Sequence, residues 1–183
     1  MHRTATPSVL IWRPGRLAEP VDPAAARMLE AAAEALAGDG TPVRALEWDD
    51  HIGTLLGDHA VIMAYEAAPG RPAPGGPVAP GGPVSPERYH EARIRRDVSR
   101  SDLCDRLRNG GVIVGPTGSP DLSRPWQALG FPAVTVTGVA AGRPGLQVIG
   151  PPGREADMAA VAGRLAALLT RPGPAPTLEV YPS

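Results

Sequence analysis

Residues 71–84 read Arg-Pro-Ala-Pro-Gly-Gly-Pro-Val-Ala-Pro-Gly-Gly-Pro-Val, with Ala-Pro-Gly-Gly-Pro-Val repeated in tandem. Proline fixes φ and removes a hydrogen-bond donor, and paired glycines resist ordering, so this stretch can form neither helix nor sheet ladder. Two copies are too few for a solenoid. The segment reads as a flexible Pro/Gly loop at about 69–85 inside a single domain spanning 1–183, with regular structure on either side. It also explains a composition at the border of low complexity: glycine (22) and proline (23) are abundant, yet the hydrophobic fraction of 43% is that of a globular core.

Before the loop, Ser8 to Trp12 is a short buried strand ended by Arg13-Pro14-Gly15. Asp22 and Pro23 are an N-cap and a proline at the first helical position. Met28, Leu29, Ala32, Ala33 and Leu36 follow at helical spacing until Gly38 and Gly40. Pro42 to Leu46 is a second strand, so the opening is the strand–helix–strand unit of a parallel sheet. Asp58 is placed to cap a helix over 59–68. After the loop, Ser85-Pro86-Glu87 restarts structure with a cap, a proline and a first-turn acid, and predicts a charged helix to Asn109. Val112-Ile113-Val114 is a buried strand, and 115–125 is expected to be a loop. Ala133 to Thr137 and Leu146 to Ile149 are expected as adjacent strands, and a last helix runs from Glu155 to Leu169. The fold class is therefore α/β, with a mixed, largely parallel sheet flanked by helices.

The charges exclude several functions. Eighteen basic and nineteen acidic residues leave a net charge of −1, with no pull toward nucleic acid, and the signs alternate along the charged helix. No apolar run approaches the roughly 20 residues of a membrane span. No signal peptide is evident, and the expected location is cytoplasmic. All eighteen basic residues are arginine. The absence of lysine removes a Walker A phosphate site, Schiff-base chemistry and any Ser–Lys pair. Cys104 is the only cysteine, which excludes an internal disulfide and a multi-cysteine zinc site, and Asp49-Asp50-His51 reads as a surface turn. No metal and no cofactor are expected.

Gly130-Phe131-Pro132-Ala133-Val134-Thr135-Val136, then Pro144-Gly145-Leu146-Gln147-Val148-Ile149-Gly150, then a helix ending in Leu165 to Leu169, resembles the C-terminal part of the amidase signature family. Val112 to Thr117 and Ile62 to Ala68 followed by Ser85-Pro86 resemble earlier segments in the same order. The resemblance implies a shortened amidase-signature-like fold. That family works through a Ser–cis-Ser–Lys triad in a Gly- and Ser-rich stretch of its N-terminal half. This sequence has no Gly-Gly-Ser-Ser run and no lysine, so none of the three positions carries over. Gln127 stands where the family has an asparagine, Thr137 where it has a proline, and Pro144-Gly145 lacks an intervening residue.

A serine without a base is a weak nucleophile, and only His2, His51, His59, His90 or a carboxylate could serve here. No Gly-x-Ser-x-Gly elbow occurs. The loop after the third strand is the expected pocket wall, because ligands bind at strand ends in open α/β sheets. Thr117, Ser119, Trp126 and Gln127 there, with Tyr65, are the candidate ligand-binding residues. Asp121, Glu66 and His90 are the candidate proton carriers. These residues point to a repurposed enzyme performing cyclisation, isomerisation or dehydration of a small secondary metabolite. A binding or assembly subunit of a partner enzyme, and an amide hydrolase with a non-lysine base, are the alternatives. Clean caps and strand patterns argue against a decayed gene fragment. Half of an α/β domain exposes sheet edge and apolar face, so a homodimer is expected, with a small-molecule ligand and neither nucleic acid nor membrane as partner.

Overall fold

The computed structural model describes residues 7–15, 21–67, 84–108, 111–136 and 145–169. Strand β1 (Val9–Trp12) is followed by helix α1 (Pro23–Gly38), strand β2 (Val43–Leu46), helices α2 (Asp49–Ala67) and α3 (Pro86–Arg106), and strand β3 (Val112–Pro116). Helix α4 (Pro120–Leu129), strands β4 (Ala133–Val136) and β5 (Leu146–Ile149), and helix α5 (Glu155–Leu169) follow among the described residues. The sheet order is β2-β1-β3-β5-β4. β1 pairs parallel with β2 and β3, and β5 runs antiparallel to both β3 and β4. Four strands thus share one direction and β5 opposes them. The α/β expectation of a mixed, largely parallel sheet holds, and so does the adjacency of the last two strands.

Alternation along the strands divides the core into two layers. Val112 and Val114 of β3, with Leu146 and Val148 of β5, face α1 and α5 and meet Leu29, Leu36, Val161 and Leu165. Ile113 and Ile149 face the other way, toward Ile52 and Leu55 of α2, Leu103 of α3, and Leu122, Trp126 and Leu129 of α4. Helix α1 begins as its sequence requires: Asp22 accepts a hydrogen bond from Ala24 N at 2.6 Å, and Pro23 occupies the first turn. Ser85 caps α3 in the same way, accepting from Arg88 N at 3.2 Å.

Three expectations need correction. Helix α2 begins at Asp49, not at Asp58, so Asp49-Asp50-His51 forms its first turn. Asp58 lies inside the helix, buried, where Arg95 of α3 donates to both of its carboxylate oxygens at 2.6–3.2 Å. The segment expected as a loop over 115–125 contains the end of β3 and most of the first two turns of α4. Ser119-Pro120-Asp121 is the same cap–proline–acid signal as Ser85-Pro86-Glu87, and Ser119 accepts from Asp121 N at 3.1 Å. The Pro/Gly repeat over 71–83, the turn over 142–144 and the tail beyond 169 lie outside the described residues. No described helix is long and apolar enough to cross a membrane.

Candidate functional site

Strand β3 delivers Thr117 to the rim where β1, β2, β3 and β4 all end. Gly118, at φ 129°, turns the chain there, and Ser119 starts α4. β5 begins at the same rim. Thr117 N donates to Gly145 O at 2.9 Å, and Gly145 N donates back to Thr117 Oγ1 at 3.0 Å. A Cβ at position 145 would fall 2.9 Å from Val136 O and 3.0 Å from Thr117 Oγ1, so this junction admits only glycine.

A cavity of about 410 Å³ opens beside the junction, lined by Thr117, Gly118, Ser119, Pro120, Leu122, Ser123, Thr135 and Gln147. Gln147 interrupts the apolar run of β5 and is 4% exposed. Its Nε2 donates to Pro116 O and Leu122 O, each at 2.9 Å, which ties the end of β3 to α4. Both amide hydrogens are thereby committed, leaving Oε1 as an acceptor. The hydroxyls of Thr117 and Ser119 already accept a backbone N–H each, which leaves their O–H groups to donate. The lining therefore combines hydroxyl donors with an amide acceptor and carries no charged side chain.

The residues singled out from the sequence fall into separate groups. Thr117 and Ser119 line the cavity. Asp121 sits in the first turn of α4, its carboxylate accepting from Arg124 Nη1 at 2.9 Å. Trp126 is 1% exposed and belongs to the core, stacked on Trp48 at 5.7 Å and edge-on to Trp12 at 4.8 Å. Its Nε1 has no hydrogen-bond partner among the described residues. Gln127 points to the exposed side of α4. Tyr65 and Glu66 lie at the far end of the α2–α3 hairpin. There Tyr65 stacks on Tyr89 with ring centroids 4.2 Å apart, and Tyr89 OH donates to Glu66 Oε1 at 3.0 Å. His90 follows Tyr89 on α3 and is exposed. α4 packs on the Ile52–Leu55 half of α2, and the rise from Leu55 to Glu66 is about 16 Å of helix. Gln147 and Thr135 were not read as site residues. The signal for Gln147 was present, since one amide inside a buried apolar strand must find partners.

A larger groove, about 630 Å³, lies between the ends of β1 and β2 beside Arg13, Glu47, Asp49, Asp50 and His51. Two of its charged groups, Arg13 and Asp49, are already engaged. Arg13 forks onto Glu30 at 2.6 and 2.8 Å, and Asp49 accepts from Trp12 Nε1 and Gly15 N. Among the described residues no group of three or more His, Cys, Asp or Glu side chains is placed to hold a metal.

Comparison with solved structures places this architecture among amidase-signature enzymes. The structure of 6-aminohexanoate cyclic dimer hydrolase with its substrate matches with a TM-score of 0.60 at 18% identity, over 91% of this chain and 46% of that one. Fatty acid amide hydrolase matches with a TM-score of 0.62 at 15% identity, over 90% and 40%. A bacterial aryl acylamidase of the amidase signature family matches at 0.50 and 13%, over 91% and 46%. At these identities the likeness is one of fold: part of an amidase-signature architecture, with this chain spanning less than half the length of each. No protein-family model and no curated protein sequence matches the chain.

Proposed function

We propose that this chain binds a small neutral ligand bearing an amide group in the Thr117–Gln147 cavity and does not attack it covalently. One observation carries the reading. Thr117 and Ser119 offer O–H donors beside the acceptor Oε1 of Gln147, in a lining free of charge. A carboxamide presents the complementary pair, an oxygen that accepts and an N–H that donates. The cavity volume lies within the range of small-molecule sites. Two of the similar structures are, by name, a 6-aminohexanoate cyclic dimer hydrolase and a fatty acid amide hydrolase, which supports an amide as the recognised group. No lysine exists in this chain to activate a serine, and Ser119 Oγ already serves as a helix cap.

The test is calorimetric titration with the cyclic dimer of 6-aminohexanoate, and with hexanoate as the charged control. Binding of the diamide, its loss in Gln147→Leu, and failure of hexanoate are expected. Equal binding of hexanoate, or binding unaffected by Gln147→Leu, overturns the reading. A fluorophosphonate probe should leave the chain unlabelled; covalent labelling of Ser119 would restore a nucleophilic serine.

A second reading, a cofactor-independent enzyme carrying out acid–base chemistry on a secondary metabolite, is favoured by the place of Asp121. Its side chain is 22% exposed and stands in the first turn of α4 between the lining residues Ser119 and Leu122. In this reading Asp121, which neighbours the lining in sequence without belonging to it, is the proton carrier, while Glu66 and His90 would act from the hairpin end. Asp121→Asn then abolishes turnover and leaves ligand affinity unchanged. Turnover that survives the substitution refutes this second reading alone.

A further inference from the structure

The two edges of the sheet differ in how they are guarded. β2 carries an exposed arginine, Arg44, and a charge on an edge strand discourages pairing with another chain. β4 is Ala133-Val134-Thr135-Val136, with no charge at all. Ala133, Val134 and Thr135 are exposed, Val134 by 36%. The inner edge of β4 is bonded to β5, and among the described residues no strand pairs with its outer edge. Unpaired N–H and C=O groups in a row are a template for another strand. Antiparallel pairing about a twofold axis supplies that strand from the same sequence, because each residue meets its symmetry partner. With Ala, Val and Thr on both sides, no like charges face each other across the axis.

We propose that two copies of this chain pair antiparallel through the outer edge of β4, joining two five-stranded sheets into one of ten, and that this pairing adds a wall to the cavity. Thr135 links the two halves of the proposal, since it lies on the edge strand and also lines the cavity. The interface stands on the edge itself; only the shared wall rests on the ligand-binding reading above.

Sedimentation of the full chain across the micromolar range tests the interface. A concentration-dependent dimer is expected, and Val134→Lys, which puts a charge on the exposed edge away from the cavity lining, is expected to be monomeric with an unchanged circular dichroism spectrum. In a Cys104→Ser background, Val134→Cys or Thr135→Cys should cross-link to its own copy on mild oxidation, while Val43→Cys on β2 should not. A wild-type protein that stays monomeric throughout overturns the proposal, and is the result expected if residues 170–183 of the same chain cover the edge. A dimer that survives Val134→Lys and gives no cross-link from β4 overturns it as well. For the shared wall, the cyclic dimer of 6-aminohexanoate should bind the wild type at least several-fold more tightly than Val134→Lys. Equal affinity would remove the wall and leave the interface.

Discussion

A Cβ on Gly115 would lie 2.8 Å from Cε3 of Trp12. β1 and β3 pair with Ile11 opposite Val114, and the next step along both strands sets the Trp12 indole against the bare backbone of Gly115. Trp12 is fully buried in this position and meets Trp126 of α4 edge-on, so the glycine indirectly sets the position of the helix that walls the cavity.

Gly115→Ala is therefore expected to overpack a site that has no slack. Overpacking costs about 1–3 kcal/mol, and the buried ring of Trp12 cannot swing away. Urea denaturation should show a lower midpoint with an unchanged slope. Partial recovery is expected when Trp12→Leu is added. A stability equal to wild type would show that the indole is not held against β3.

Gln147→Leu keeps the approximate volume and removes both donors to Pro116 O and Leu122 O. Leaving buried carbonyls without these partners costs about 1–3 kcal/mol. The loss should be accompanied by looser α4 amides in hydrogen exchange, since the side chain ties that helix to β3. Protection of α4 that does not change would contradict this role.

The pair of Asp58 and Arg95 joins α2 to α3 near the middle of the hairpin. Asp58→Ala and Arg95→Ala should each lower the melting temperature by about 2–4 °C. The double variant should fall little further, because either change removes the same interaction. Fully additive losses would mean that the two side chains act independently.

Glu30 forms an exposed fork with Arg13, and the hydrogen bonds from that guanidinium hold its carboxyl below the usual glutamate range. A depressed folded-state value means that the unfolded chain takes up the proton first. The contribution is present above the ordinary glutamate value, about 4.3, and disappears as pH falls through the lower folded value. Both side chains are about half exposed, so screening limits the effect to less than about 1 kcal/mol. Glu30→Gln should therefore narrow its stability gap to wild type on acidification below about pH 4, and also in high salt. A gap that is constant across that range would show that the fork contributes nothing through charge.

Nearly every helix and strand could be found in the sequence, and the exceptions have clear causes. Asp22-Pro23 and Ser85-Pro86 declare α1 and α3 because a cap is made within three residues of itself. Ser119-Pro120 declares α4 equally well, but Gly118 and the second proline, Pro125, make the segment read as a loop. Asp58 suited an N-cap by composition alone; it is inside α2 because Arg95, 37 residues away, satisfies its charge there. For the candidate site, Thr117 and Ser119 were legible as the loop after a buried strand. Trp126 and Gln127 were read with them, yet they turn in different directions on α4, one into the core and one to the surface.

The sequence by itself determined most of the order of elements, the apolar character of the inner strands and the absence of a lysine-based nucleophile, because caps, periodicity and composition act over a few residues or none. Tertiary structure alone decided which polar groups share a cavity. Gln147 reaches carbonyls 31 and 25 residues earlier in the chain, and Thr135 joins Thr117 only because β5 threads between their strands. The direction in which a side chain is buried depends on neighbours that are distant in sequence, and local pattern carries no record of them.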